Sequence, residues 1–287
     1  MIVEQSNVLK KLQENLETAS SRLLIVEEQH KLCTTMLAEK ICEDDGTASV
    51  LFSRFCTAIN EPKEAEKALF CRAFVTCHEK DRTLRPEELF SLNDVPPAGS
   101  HGKIAFVRNR YAERAYEHFS NAVIGAKPIL VSEFSEACDL VYNSRCSYCI
   151  LPIESSTGGR LTSFYAMMDR YDLKICAIFE LENNDTTESV RYALAGRLLP
   201  RPISKSKACM LEFSLTREDA SQLSELLSAT ALLGATPTRV DFLPLEYDHS
   251  FYRVFLTLRV SAKDAPALGL YLALSHPNYT PIGFYTI

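Results

Sequence analysis

From Lys103 onward, short apolar runs alternate with helical segments, and this alternation restricts the fold more than any other feature of the chain. "KIAFV" is followed by "RYAERAYEHF", "KPILV" by "SEFSEACDLVY", "YCILPI" by "LTSFYAMMDRY", and then comes "LKICAIFEL". Strands spaced by single helices read as βαβ units, which implies a parallel α/β sheet. The helix "SEFSEACDLVY" is expected to open on a Ser cap. A polar interlude, "ENNDTTES", leads to one more strand, "VRYALAG". From Lys207 the order changes. "KACMLEFSL" reads as a strand and "REDASQLSELLSATALLG" as a helix stopped by Gly234. "TRVDFLPL" and "FYRVFLTLRV" read as strands around "EYDH", and "APALGLYLALSH" and "YTPIGFYTI" as a helix and a closing strand. The order βαββαβ in about 80 residues is a ferredoxin-like fold.

The part before Lys103 is helical. Apolar residues recur at Leu9, Leu12, Leu16, Ala19, Leu23, Val26, Cys33 and Leu37, with His30 on the same seam, as in one long helix over 6–42. Gly46 breaks the pattern. Shorter helices are expected over 48–60 and 63–80, the second starting near Pro62. A linker with Pro86, Pro96, Pro97, Gly99 and Gly102 closes this part. The expected fold class is α+β / α/β in three units: helical 1–95, α/β 103–197 and ferredoxin-like 205–287.

Composition narrows the function. The 287 residues carry a net charge of −6, with a pI near 5.6, which argues against nucleic-acid partners because phosphate contact needs a basic surface. No run reaches the roughly 18 apolar residues of a membrane span. "MIVEQSNVLKK" lacks the basic-then-apolar order of a secretion signal. The ten cysteines lie mostly in apolar periodic segments and read as buried hydrophobes of a reducing, intracellular compartment. Cys146 and Cys149 form a lone C-x-x-C without a second pair at zinc spacing, so neither a metal nor a cofactor is expected.

The segment richest in chemistry is "YCILPIESSTGG". A strand ends in Glu154, Ser155, Ser156, Thr157 and Gly158, followed by Arg160. Hydroxyls and flexible backbone N–H groups at a strand end suit an anion, while a Ser/Gly loop between strand and helix explains the same residues without a ligand. Arg108 and Arg110, in the turn after "KIAFV", are further cations that two-pronged carboxylate binding could use.

These motifs together resemble the bifunctional chorismate mutase–prephenate dehydratase family with its C-terminal ACT domain. "YCILPIESSTGGRLTSFYAMMDRYDLKICAIFEL" resembles the family's "GVVPIENSTEGSV" followed by a helix and "LKIVGEIEL". "RYALAGR" is similar to the segment after the family's Thr-Arg-Phe triplet, and "RLLIVEEQHKLCTTMLAEK" follows the first mutase helix in apolar pattern. The resemblance implies conversion of prephenate to phenylpyruvate, with a threonine hydroxyl as proton donor, and regulation through an amino acid bound by the ACT domain.

The chain departs from that pattern at each site. The triplet reads Val190-Arg191-Tyr192, with Ser189 one place off, where strand alternation points it to the other face. The first βα turn, "FVRNRYAER", has no glycine. The mutase arginine positions fall on Leu12 and Gln29, and Lys40 alone matches. The ACT ligand stretches read Asp219-Ala220-Ser221 and Asp241-Phe242-Leu243-Pro244, leaving Ala220, Asp241 and Pro244 as their equivalents. "ENNDTTES" is too short for the family's second lobe, so the cleft is expected to have one wall. These departures lead to an inactive dehydratase-like protein serving as a scaffold, either a homo-oligomer or a subunit of a larger complex. An active dehydratase with a rearranged site and an ACT-type amino-acid sensor are the alternatives. The strand "FYRVFLTLRV" puts Phe251, Arg253, Phe255, Thr257 and Arg259 on one face, a composition that suits an interface.

Overall fold

The computed structural model describes residues 2–78, 102–156, 159–182, 189–198, 208–217, 221–244 and 252–286. Three helices come first, α1 (Ile2–Cys42), α2 (Ala48–Ile59) and α3 (Glu64–Cys77). Then follow β1 (Lys103–Val107), α4 (Arg110–Ser120), β2 (Lys127–Val131), α5 (Phe134–Tyr142), β3 (Tyr148–Ser155), β4 (Gly159–Arg160), α6 (Thr162–Arg170), β5 (Lys174–Glu182) and β6 (Ser189–Gly196). The last unit is β7 (Ala208–Arg217), α7 (Ser221–Leu232), β8 (Thr236–Pro244), β9 (Tyr252–Ser261), α8 (Ala265–Ser275) and β10 (Thr280–Thr286). The proline-rich linker before Lys103 lies largely outside the described residues.

All ten strands belong to one sheet, in the order β2-β1-β3-β6-β5-β10-β7-β9-β8, with β4 turned back on β3. The block β10-β7-β9-β8 has antiparallel neighbours throughout, which is the ferredoxin-like arrangement. The expectation of a wholly parallel first half fails at the short β4, antiparallel to β3, and at β6. β2, β1 and β3 are parallel, but β6 is antiparallel to both β3 and β5. The reason is connection length. β5 and β6 pair up to Glu182 and Ser189, and so short a connection returns as a hairpin, whereas a parallel crossover needs a dozen residues or more.

The two halves join where β10 runs parallel to β5 at Gly283 and Ile175. A Cβ on residue 283 would fall 2.9 Å from the Ile175 Cβ, so the junction depends on glycine.

Three apolar clusters fill the layers. The first joins α1, α2 and α3 to α7, α8 and one face of β7 and β9, including Phe55, Phe70, Leu211, Phe213, Leu256 and Leu268. The second lies between α5, α6 and the first half of the sheet, and it takes in Phe255, Ile282 and Tyr285 from the second half. The third packs α4 on the opposite face, through Phe106, Phe119, Ile150 and Tyr192.

The arginine-bearing face of β9 is therefore an interface, but within the chain. Phe255 stacks on Tyr165 of α6 with ring centroids 4.1 Å apart, and Arg253 pairs with Asp169 of the same helix. α6 covers this face, while Arg259 stays exposed.

One polar cluster pins the helical layer. Glu64 of α3 accepts hydrogen bonds from Tyr271 of α8 and, at 2.8 Å, from Lys67, and its Oε2 lies 3.0 Å from His276 Nε2. Burial opposes ionisation of Glu64, but the bonds from His276, Lys67 and Tyr271 outweigh it and bring its pKa down to about 2.

All ten cysteines are free thiols, and Cys146 and Cys149 are buried, as a core reading of that pair requires. A hydrogen bond with Cys138, together with burial, pushes the Cys149 thiol up. Cys33 and Cys77 are exposed, contrary to a uniformly buried set.

Candidate functional site

The strand "YCILPIES" does not stop at its proline. β3 continues to Ser155, with an irregular register between Pro152 and Glu154 against β6. Such a bulge re-aims the residues that follow it. Ile153 is buried in the core, and Glu154 lands directly across from Arg191 of β6. The chain then returns as β4, pairing Glu154 with Arg160 and Ser155 with Gly159. β3 and β4 thus pair antiparallel on either side of the serine–glycine segment, with Gly159 at φ +67°, where a loop leading straight from strand to helix was expected. Ser156 closes it onto β6, its Oγ accepting from the Ser189 N–H at 2.9 Å. Thr157 and Gly158 lie outside the described residues, as does Ala220, and only the backbone of Arg160 is placed.

Around Glu154 the charges form a chain across the cleft. Its Oε1 is 2.7 Å from Arg191 Nη1, and its Oε2 is 2.6 Å from Arg239 Nη1 of β8. Arg191 also reaches Glu180 of β5 at 3.0 Å, and Arg239 reaches Asp241 at 2.8 Å. The order is Glu180, Arg191, Glu154, Arg239, Asp241, and each guanidinium holds two carboxylates. The hydrogen bond from Arg191 draws the Glu180 pKa down. Beside this chain is a cavity of about 280 Å³ lined by Ile153, Ile178, Met210, Glu212, Thr257 and Tyr285, among others. Glu212 is buried and accepts a 2.5 Å hydrogen bond from the Tyr285 hydroxyl, with the Tyr165 hydroxyl at 3.5 Å.

The cleft has two walls, where the short connection after β5 led us to expect one. The second wall comes from the ferredoxin-like half, which brings Arg239, Glu212 and Tyr285 to the α/β half. Of the residues singled out in the sequence, Glu154, Arg191 and Asp241 come together here. Pro244 closes β8. Arg108 and Arg110 flank the start of α4 and are not among the residues lining this cavity. Asn109 between them caps α4, accepting from the Ala112 N–H at 2.8 Å, and Arg108 lies 3.4 Å from Glu113. The expected cap of α5 is also displaced. Glu133 occupies the cap position, and Ser132 donates to Glu136 at 3.0 Å.

Arg239, Glu212 and Tyr285 were missed. Glu212 carried a signal: a carboxylate in mid-strand, alternating with the buried Leu211 and Phe213, needs a polar partner on its own face. Val190, where the resemblance places a hydroxyl donor, faces away from the cleft and packs with Leu181 and Tyr192. Ser189 lies on the Arg191 face and donates to Glu180 at 3.2 Å. Among the described residues no group of three His, Cys, Asp or Glu side chains is arranged to hold a metal ion, and no helix is long and apolar enough to cross a membrane.

An α/β sheet fused to a ferredoxin-like unit, with a charged cleft between them, is a prephenate-dehydratase-like fold. Solved structures similar to it include the prephenate dehydratase of Streptococcus mutans, with a TM-score of 0.52 and 17% identity over 64% of this chain and 97% of that one. The Arthrobacter aurescens prephenate dehydratase in complex with L-Phe gives a TM-score of 0.51 at 12% identity, over 64% of this chain and 90% of that one. A protein described as a novel type of quorum-quenching acylase, GqqA, gives 0.52 at 21% identity, over 64% and 95%. No protein-family model matches the chain, and no curated protein does.

Proposed function

We propose that this chain is a dehydratase-fold protein without dehydratase or mutase activity, and that it works through protein contacts as a homo-oligomer or a subunit of a larger assembly. One observation carries the reading: among the described residues, the two guanidiniums beside the cavity, Arg191 and Arg239, are each held by two carboxylates. A dianionic substrate such as prephenate needs cations whose charge is not already neutralised. Among the described side chains the charged row sets three acids against two bases, and Glu212 adds a further carboxylate. Val190 among apolar side chains supports the same reading, because no proton donor stands where the resemblance asks for one. Fold alone does not choose an activity, since the similar structures include dehydratases and a protein described as an acylase. The spans 1–95, 103–197 and 205–287 are, on this reading, inherited units kept for folding.

The test is an assay of the purified chain with prephenate and with chorismate, beside an authentic dehydratase. No turnover is expected. A rate in the ordinary enzyme range of roughly 1 to 1,000 per second with prephenate would replace this reading by an active enzyme with a rearranged site.

A further inference from the structure

The cavity beside Glu154 runs from a wet rim to a buried end. Glu154, Arg191 and Arg239 form the rim, with side chains 21%, 40% and 35% exposed. Glu212 lies at the buried end, 3% exposed, with the hydroxyls of Tyr285 and Tyr165 bonded to it. Strand register explains its neighbours. Met210 and Glu212 stand two apart on β7 and so share a face. β9 sets Thr257 opposite Glu212, and β10 sets Tyr285 opposite Met210. From the α/β half, Ile153 of β3 and Ile178 of β5 join the lining. A buried carboxylate and apolar side chains from both halves thus meet one space of about 280 Å³.

We propose that this cavity binds a small primary amine with an apolar body and no carboxylate of its own. The inference uses the charge count of the reading above and goes beyond it to the ligand. Three observations carry it. The first is charge. Among the described side chains, Glu154, Glu180, Glu212 and Asp241 set four acids against Arg191 and Arg239. An anion enters against that excess, whereas an ammonium offsets it. A ligand with a carboxylate beside its ammonium adds a fifth acid where both guanidiniums are already doubly held, so the same count rejects amino acids. The second is burial. Taking an ammonium out of water is costly unless a carboxylate receives it, and Glu212 presents one beside apolar side chains. The tyrosine hydroxyls that bond Glu212 are neutral donors, and an ammonium N–H makes the stronger, charge-assisted bond. The third is size. A cavity of about 150 Å³ holds benzene, roughly 25 Å³ per heavy atom, so about 280 Å³ suits a ligand of about eleven. An arylalkylamine has that size. Its ring would lie against Ile153, Ile178 and Met210, whose thioether favours an aromatic neighbour.

The test is calorimetric titration of the full-length chain with phenethylamine. L-phenylalanine adds a carboxylate to the same body, and phenethyl alcohol replaces the ammonium by a hydroxyl. Phenethylamine should bind, and the other two should bind about tenfold more weakly or worse. Glu212→Gln keeps an acceptor for both tyrosines and removes the charge. It should weaken phenethylamine about tenfold or more, with circular dichroism unchanged. Ile178→Phe fills the space without touching a charge and should abolish binding, so the proposal stays testable if the Glu212 variant does not fold. A wild-type chain that does not bind phenethylamine would overturn the proposal. So would equal affinity for L-phenylalanine or for the alcohol, or undiminished binding by Ile178→Phe. Turnover of prephenate would overturn only the reading of inactivity, because that assay follows product and this one follows binding, so the two fail separately.

Discussion

Two carboxylates, Glu64 and Glu154, each gather partners from distant parts of the chain, and they differ in what lies beside them. Glu64 is enclosed by Tyr271, His276 and Lys67 in the first core, with its side chain 16% exposed. Glu154 holds two arginines that are 40% and 35% exposed, next to open space of about 280 Å³. The first cluster is sealed and fixes α3 on α8. The second is a seam between two halves of a sheet, with room for a ligand and its cations already taken. Ionic bonding alone does not mark a site; the space beside it does.

The largest expected effect tests the sealed cluster. Glu64→Ala removes the buried carboxylate that His276, Tyr271 and Lys67 share, and should lower the unfolding free energy in urea by about 3 kcal/mol. A loss under about 1 kcal/mol would erase the contrast with Glu154. Acid should act on the same group. A carboxylate with a depressed folded pKa stabilises above its unfolded value and loses that contribution as pH falls. For Glu64 the window runs from 4.5 down to about 2. The contribution lost there is about 2 kcal/mol after allowing for the edge that still meets water, and Glu64→Gln should flatten the stability profile across it.

Smaller effects sharpen the cleft. Tyr285→Phe removes a donor from the buried Glu212 and should cost about 1–2 kcal/mol in thermal or urea unfolding. Glu154→Gln should cost about 1 kcal/mol or less. It should also remove one of the two carboxylates on each of Arg191 and Arg239, leaving Glu180 and Asp241, so that inorganic phosphate, silent with the wild type in calorimetric titration, binds the variant. A wild-type chain that binds phosphate as well as the variant would show that the guanidiniums are not neutralised.

Strands and helices from Lys103 onward were legible because each is short and punctuated. The direction of β6 was not, since the short interlude was weighed against a missing lobe, while the same shortness also returns the strand antiparallel. The face of β9 was recognised as an interface from Arg253 and Phe255, but composition does not say whether the covering surface is another chain or α6 of the same one. Glu154, Arg191 and Asp241 were found by motif. Arg239 escaped because its partner Glu154 is 85 residues away, and Glu64 because Tyr271 and His276 lie 207 and 212 residues beyond it. Periodicity has no access to such distances.

The place of β10 sets the order in which the molecule is completed during synthesis. It lies between β5 and β7, yet it is the last of the ten strands to leave the ribosome. At roughly 5 to 20 residues per second, β5 waits about 5 to 20 s for the neighbour that joins it to the other half. Through that interval β5 and β7 both present unpaired backbone, the template on which nascent chains stick to one another. The risk ends when Gly283 slides against Ile175, and a side chain at that position would prolong it.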